Sequence, residues 1–109
     1  MPAVGEQIAD NGDAGQPVFV PVLCLAEAYR HAGTEGALML DLLVTIDNVV
    51  VTPVEPDMAP ILGGFTSTVG RADIAQVVIT AAERRARIMT SERHLVTQIL
   101  PKEWPIIEL

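Results

Sequence analysis

The sequence predicts a small three-layer α/β domain built on a largely parallel sheet. Short β-prone runs alternate with apolar helical stretches along the chain, and such alternation requires crossover connections and so favours parallel pairing. The 109 residues allow one domain with a hydrophobic core and leave no room for a second of ordinary size. Half of the residues are hydrophobic but only 4% are aromatic, so the core is aliphatic and the chain is too apolar to remain disordered.

Taken in order, Ala3 to Ala9 reads as a short helix, and the run Asp10-Asn11-Gly12-Asp13-Ala14-Gly15 reads as a loop. Residues 1–17 are thus expected to be a weakly anchored helix and loop ahead of an α/β domain spanning 18–109. Val18-Phe19-Val20 is a β-prone run, and Pro21 opens a helix that extends to about Ala32 and ends near Gly33. A further helix is expected over Glu35 to Leu43, with Leu38 and Leu42 on a broad buried stripe. Val49 to Thr52 forms a second strand, stopped by Pro53.

From Glu55 to Ser67 the apolar spacing is helical, but Pro56, Pro60, Gly63 and Gly64 predict a broken or irregular helix. Asp73 begins the clearest helix, in which Ile74, Val77, Val78 and Ala81 share one face while Gln76, Glu83 and Arg84 reach water. Ala86 to Met89 is expected to be a strand. Thr90 or Ser91 caps a short helix reaching Leu100, and Pro105 to Leu109 supplies a terminal strand.

Charge and cysteine content narrow the function classes. Fourteen Asp and Glu stand against seven Lys and Arg, a formal charge of -7, so non-specific attraction to a polyanion does not dominate binding. The single Cys24 excludes an intrachain disulfide or a thiolate metal site and is expected to be a small buried hydrophobe. No apolar run reaches membrane-spanning length and no secretory signal follows Met1, which predicts a soluble cytoplasmic protein. Gly63 and Gly64 lack the strand-turn-helix spacing and Lys-Ser/Thr ending of a phosphate loop.

In α/β domains, polar residues just past the carboxyl ends of strands converge with helix starts, and three acids occupy such places: Glu27, Asp73 and Glu92. Gathered carboxylates bind a hard divalent cation, which offsets their repulsion and keeps water in its remaining positions. Each acid alone has a plainer explanation. Glu27 pairs with Arg30 or snorkels, Asp73 caps its helix, and Glu92 complements a helix dipole. Arg71 adjoins Asp73 and is the substrate-contacting candidate, whereas Arg84, Arg85 and Arg87 read as the solvated end of a helix. Thr90 and Ser91 are placed to orient bound water or substrate, with capping as the plainer role. His31 and His94 have no nucleophile at a recognised spacing.

Through these residues the chain resembles the PIN-domain family, especially the short toxin ribonucleases of bacterial toxin-antitoxin pairs. The resemblance runs from Val18 to Leu109, through Val18-Phe19-Val20-Pro21 leading to Leu25-Ala26-Glu27, then Arg71-Ala72-Asp73. It continues with Arg87-Ile88-Met89-Thr90-Ser91-Glu92 and ends with Trp104-Pro105-Ile106-Ile107-Glu108-Leu109. It implies that Glu27, Asp73 and Glu92 are catalytic metal ligands, with Mg²⁺ or Mn²⁺ as the cofactor and RNA as the substrate. The implied reaction is endoribonucleolytic hydrolysis of a phosphodiester, in which the ion activates water and offsets charge on the phosphate oxygens. The family opens with a strand ending in Asp-x-Ser/Thr, and nothing before Val18 matches it; Asp10 and Asp13 lie in a turn. Met1 to Ala9 resembles the helix that follows that strand, so the sequence reads as N-terminally shortened.

The missing acid, with the abundance of aliphatic residues, sustains a rival expectation: an inactive PIN-like interaction module that pairs as a homodimer or with a cognate antitoxin. A third reading is an α/β domain unrelated to nucleases.

Overall fold

A computed structural model describes residues 2–109, and the protein is α/β with short parallel strands. It divides into two compact units, Met1–Thr52 and Pro53–Leu109.

The first unit opens with helix α1 (Pro2–Asp13). This helix outruns the expected Ala3–Ala9 because its polar end is held by side chains. Gln7 donates to the Asn11 amide oxygen one turn on, at 2.7 Å, and the Asn48 amide donates to the Ile8 carbonyl at 2.9 Å. Ile8 is buried. The chain then leaves the helix through a turn in which Gly15 takes φ of 70°.

Strand β1 (Val18–Pro21) pairs in parallel with β2 (Val49–Thr52), in the register Val18 opposite Val49 through Pro21 opposite Thr52. The crossover between them is α2 (Val22–Leu43), which is two helices joined at a kink. Gly33 sits at φ 66° and ψ -172°, a conformation essentially confined to glycine. The expected helix end near Gly33 and restart before Leu43 are both present. At the kink, a Cβ on Gly36 would meet the Ala32 Cβ at 2.8 Å, so only glycine fits there without a shift of the backbone.

The expected buried stripe on the second half of α2 is overturned. Leu38 and Leu42 are 61% and 63% exposed, and Met39 is 68% exposed. The less exposed face is instead Gly36, Ala37, Leu40 and Leu43. Two of these four are small and none is fully buried, so this face covers little more than the face it replaces. Cys24 is likewise only half-buried.

The second unit begins with a one-turn 3₁₀ helix (Pro56–Met58) leading into α3 (Ala59–Val69). Contrary to the expected broken helix, α3 is continuous through Gly63 and Gly64. Pro60 lies in its first turn, where the missing N–H costs nothing, and Gly70 closes it in the left-handed conformation, φ 80°. Helix α4 (Ala72–Arg84) follows, with Asp73 in its first turn and Arg84 in its last. Its residues Ile74, Val78 and Ala81 form the core with Val69, Ile88, Val96 and Leu100, and Phe65, Leu95 and Trp104 pack against it.

Gln76, expected to reach water, is completely buried, and its amide donates to the Pro53 carbonyl at 3.3 Å. The reason is that α4 is enclosed on more than its apolar stripe: Ala75, Ile79 and Thr80 are buried as well. An amide inside that envelope is tolerable because it is hydrogen-bonded.

Strand β3 (Ile88–Thr90) pairs in parallel with β4 (Ile106–Glu108), Ile88 opposite Ile106. Between them lies the single-turn helix α5 (Arg93–Val96), shorter than expected, with tight turns carrying the chain on to Leu100. The Trp104 indole donates to the Ala86 carbonyl at 2.9 Å, which ties the β4 approach to the start of β3.

Candidate functional site

Two of the three expected acids meet. Asp73 is placed by the first turn of α4, and Glu92 lies two residues past the end of β3, at the N-terminus of α5. Their carboxylates share one guanidinium. Arg71 donates to both oxygens of Asp73, at 3.2 Å from Nε and 2.7 Å from its terminal nitrogen, and reaches Glu92 at 3.3 Å with the other. Asp73 is 14% exposed and Glu92 33% exposed, so the site is partly withdrawn from solvent. The hydrogen bonds to Asp73 raise the Arg71 pKa, and Glu92 adds to that effect.

Arg71 adopts this place because it is the extended residue just before α4, two positions from Asp73, and its fork matches the two oxygens of a carboxylate. This is the residue expected to contact substrate, and in the structure both acids engage it. Glu92 has two further supports. Its backbone N–H donates to the Thr90 hydroxyl at 2.9 Å, and His94 lies 3.6 Å from its second oxygen. Thr90 is buried and orders the turn, and Ser91 is exposed. Glu92, rather than Thr90 or Ser91, stands at the helix cap.

Glu27 belongs to the first unit and has its own partners on α2. Arg30 clasps it at 2.6 Å and 3.1 Å, and His31 lies 3.1 Å away. Arg30, with His31 behind it, lowers the Glu27 pKa from 4.5 to about 2. The i,i+3 and i,i+4 spacing on a helix brings these partners together, the plainer of the two readings of Glu27. The mutual engagement of Arg71 with both Asp73 and Glu92 goes beyond what the sequence predicts. Its only trace in the sequence is the Arg-x-Asp spacing, since Glu92 is 21 residues away from Arg71.

As hard oxygen donors, Asp73 and Glu92 suit Mg²⁺ or Mn²⁺ in kind, and they already hold a cationic group between them. In number they fall short of a full acidic set: among the described residues, no three His, Cys, Asp or Glu side chains form a metal-holding group. Among the described residues, no helix is long and apolar enough to cross a membrane. No protein-family model, curated protein or solved structure matches the chain.

Proposed function

We propose that the chain is a three-layer PIN-like domain whose chemistry, where expressed, is Mg²⁺- or Mn²⁺-dependent endoribonucleolytic hydrolysis, as in the toxin component of a toxin-antitoxin pair. The observation that supports this reading is the approach of Asp73 and Glu92 to one guanidinium. Two carboxylates from separate elements share a cation there, beyond the end of β3. Asp73 and Glu92 would hold the ion. Bound there, such an ion supplies a water of lowered pKa and offsets charge on a phosphate oxygen. The chain's own contribution is to orient the acids. The start of α4 places Asp73, the Thr90 hydroxyl fixes the Glu92 backbone, and Arg71, displaced from Asp73 by the ion, would meet a phosphate.

One observation favours a second reading, the inactive interaction module. Arg71 already neutralises Asp73 with two hydrogen bonds, so an ion must compete with a guanidinium for the same oxygens.

The test is cleavage of a mixed structured and single-stranded RNA pool by the purified chain, with Asp73→Ala and EDTA controls. Cleavage abolished by both controls supports the nuclease. A folded protein that leaves the RNA intact overturns it in favour of the interaction module, and cleavage that survives Asp73→Ala assigns the activity elsewhere.

A further inference from the structure

The second half of α2 presents the wrong residues to water. Along Thr34–Leu43 the outward arc carries Glu35, Leu38, Met39, Asp41 and Leu42, and its three central side chains are large, apolar and more than three-fifths exposed. Ile46, just past the helix, adds a fourth at 41% exposure. An amphipathic helix ordinarily turns such a stripe inward. Here the orientation is fixed by the glycine kink at Gly33 and by the Tyr29 hydroxyl, which donates across it to Asp41 at 2.6 Å.

Charge indicates what this face fits. The first 52 residues hold seven of the fourteen carboxylates but only one of the seven Lys and Arg, Arg30, which is paired with Glu27. Glu35 and Asp41 lie on the apolar arc and Asp47 follows Ile46, with no Lys or Arg between Gly33 and Thr52. A second copy laid face to face would set these acids against each other. A helix with Leu or Ile every three to four residues, flanked by Lys or Arg, matches both the apolar centre and the acidic rim.

We propose that the outward face of Thr34–Leu43 is a docking surface for a basic, amphipathic helical segment of a partner polypeptide. The surface stands independently of the nuclease reading, since none of Asp73, Glu92 or Arg71 takes part.

The probe is a fluorescein-labelled 18-residue Leu/Lys amphipathic helix, titrated by anisotropy against the full chain. Its comparators are a Leu/Glu peptide of the same pattern and a Ser/Lys peptide of the same charge. The Leu/Lys peptide should bind saturably at one site and at least tenfold tighter than either comparator. The charge-neutral triple variant Leu38→Ser, Met39→Ser, Leu42→Ser should weaken it at least tenfold while leaving Tm unchanged, and Glu35→Gln should weaken it severalfold at low salt. Equal binding by the triple variant or by the Ser/Lys peptide would overturn the proposal. So would a marked fall in Tm of the triple variant, which would mean the face is already covered in solution. Sedimentation showing a wild-type dimer that the triple variant dissolves would reassign the face to self-association.

Discussion

Replacing Gly33 with alanine isolates the backbone cost of the α2 kink. A Cβ at this position meets nothing within 4 Å, so no clash contributes and the whole effect is conformational. At φ 66° and ψ -172° an L-residue is strained by roughly 1–3 kcal/mol, and alanine returns about 0.4–1 kcal/mol by restricting the unfolded chain. Taking the middle of each range, the net loss is about 1.3 kcal/mol, which lowers Tm by roughly 5–10 °C for a domain of this size. If the chain escapes the strain by straightening into one continuous helix, the Tyr29–Asp41 hydrogen bond across the kink is broken instead. Gly64→Ala is the internal control. It lies inside α3, its Cβ also meets nothing within 4 Å, and it should stabilise by about 0.5–1 kcal/mol. Urea unfolding followed by far-ultraviolet circular dichroism reads both. Two substitutions of the same chemistry and the same open space should therefore act with opposite sign. A Gly33→Ala protein as stable as the wild type, with the Tyr29–Asp41 contact intact, would refute the reasoning.

The remaining predictions concern charge and packing. Because the Glu27 pKa is lowered in the fold, its ionised form stabilises the protein above the unfolded value of 4.5, and that contribution is lost as pH falls through about 2. A carbon-13 titration of the Glu27 carboxyl should show a midpoint near 2, moving up towards the ordinary value in Arg30→Ala; an ordinary midpoint in the wild type would dissolve the assignment. Arg71→Ala removes the guanidinium shared by Asp73 and Glu92. With Arg71 itself 41% exposed, solvent screening holds the loss to roughly 1–2 kcal/mol, and calorimetry showing no change in Tm would count against the bridge. The same variant should gain more Tm from Mg²⁺ than the wild type, because the ion no longer competes with an arginine. Val78→Ala empties part of the core cluster at a residue 1% exposed and should cost roughly 2–3 kcal/mol with an unchanged m-value; a loss below about 0.5 kcal/mol would mean the cluster is loosely packed.

Local signals located most elements, and environment decided what they faced. Pro21 before an apolar run, Gly33 at a helix end, the Val49–Val51 triplet and the Asp73 start are statements about backbone preference, and each survives in the fold. Burial is a property of neighbours, which periodicity does not name. Leu38 and Leu42 have the spacing of a core stripe yet lie outside, because the kink at Gly33 resets which face of the second half of α2 turns inward. Gln76 has the chemistry of a surface residue yet is buried, because α4 is enclosed on more than one side and the Pro53 carbonyl meets the amide. Gly63 and Gly64 failed to break α3 because two weak helix formers cost less than the packing of Phe65 and Val69 supplies.

The same division separates the three acids. The pairing of Glu27 with Arg30 and His31 follows from positions one helical turn apart, so sequence alone contains it. The meeting of Asp73 with Glu92 depends on where β3 delivers the chain after α4, and no spacing rule contains that. It is therefore the more informative contact for function. A carboxylate neutralised by its own helix needs no further explanation, whereas two carboxylates from separate elements held on one partly buried guanidinium repel each other unless a cation is present. Arg71 meets that electrostatic requirement in the folded chain. The question for function is whether a divalent ion can displace it, and that turns on a competition between an ion and an arginine for the oxygens of Asp73. Comparing the Mg²⁺ response of wild type and Arg71→Ala measures that competition directly: a response confined to the variant identifies Arg71 as the occupant of the site, and an equal response in both places the ion elsewhere.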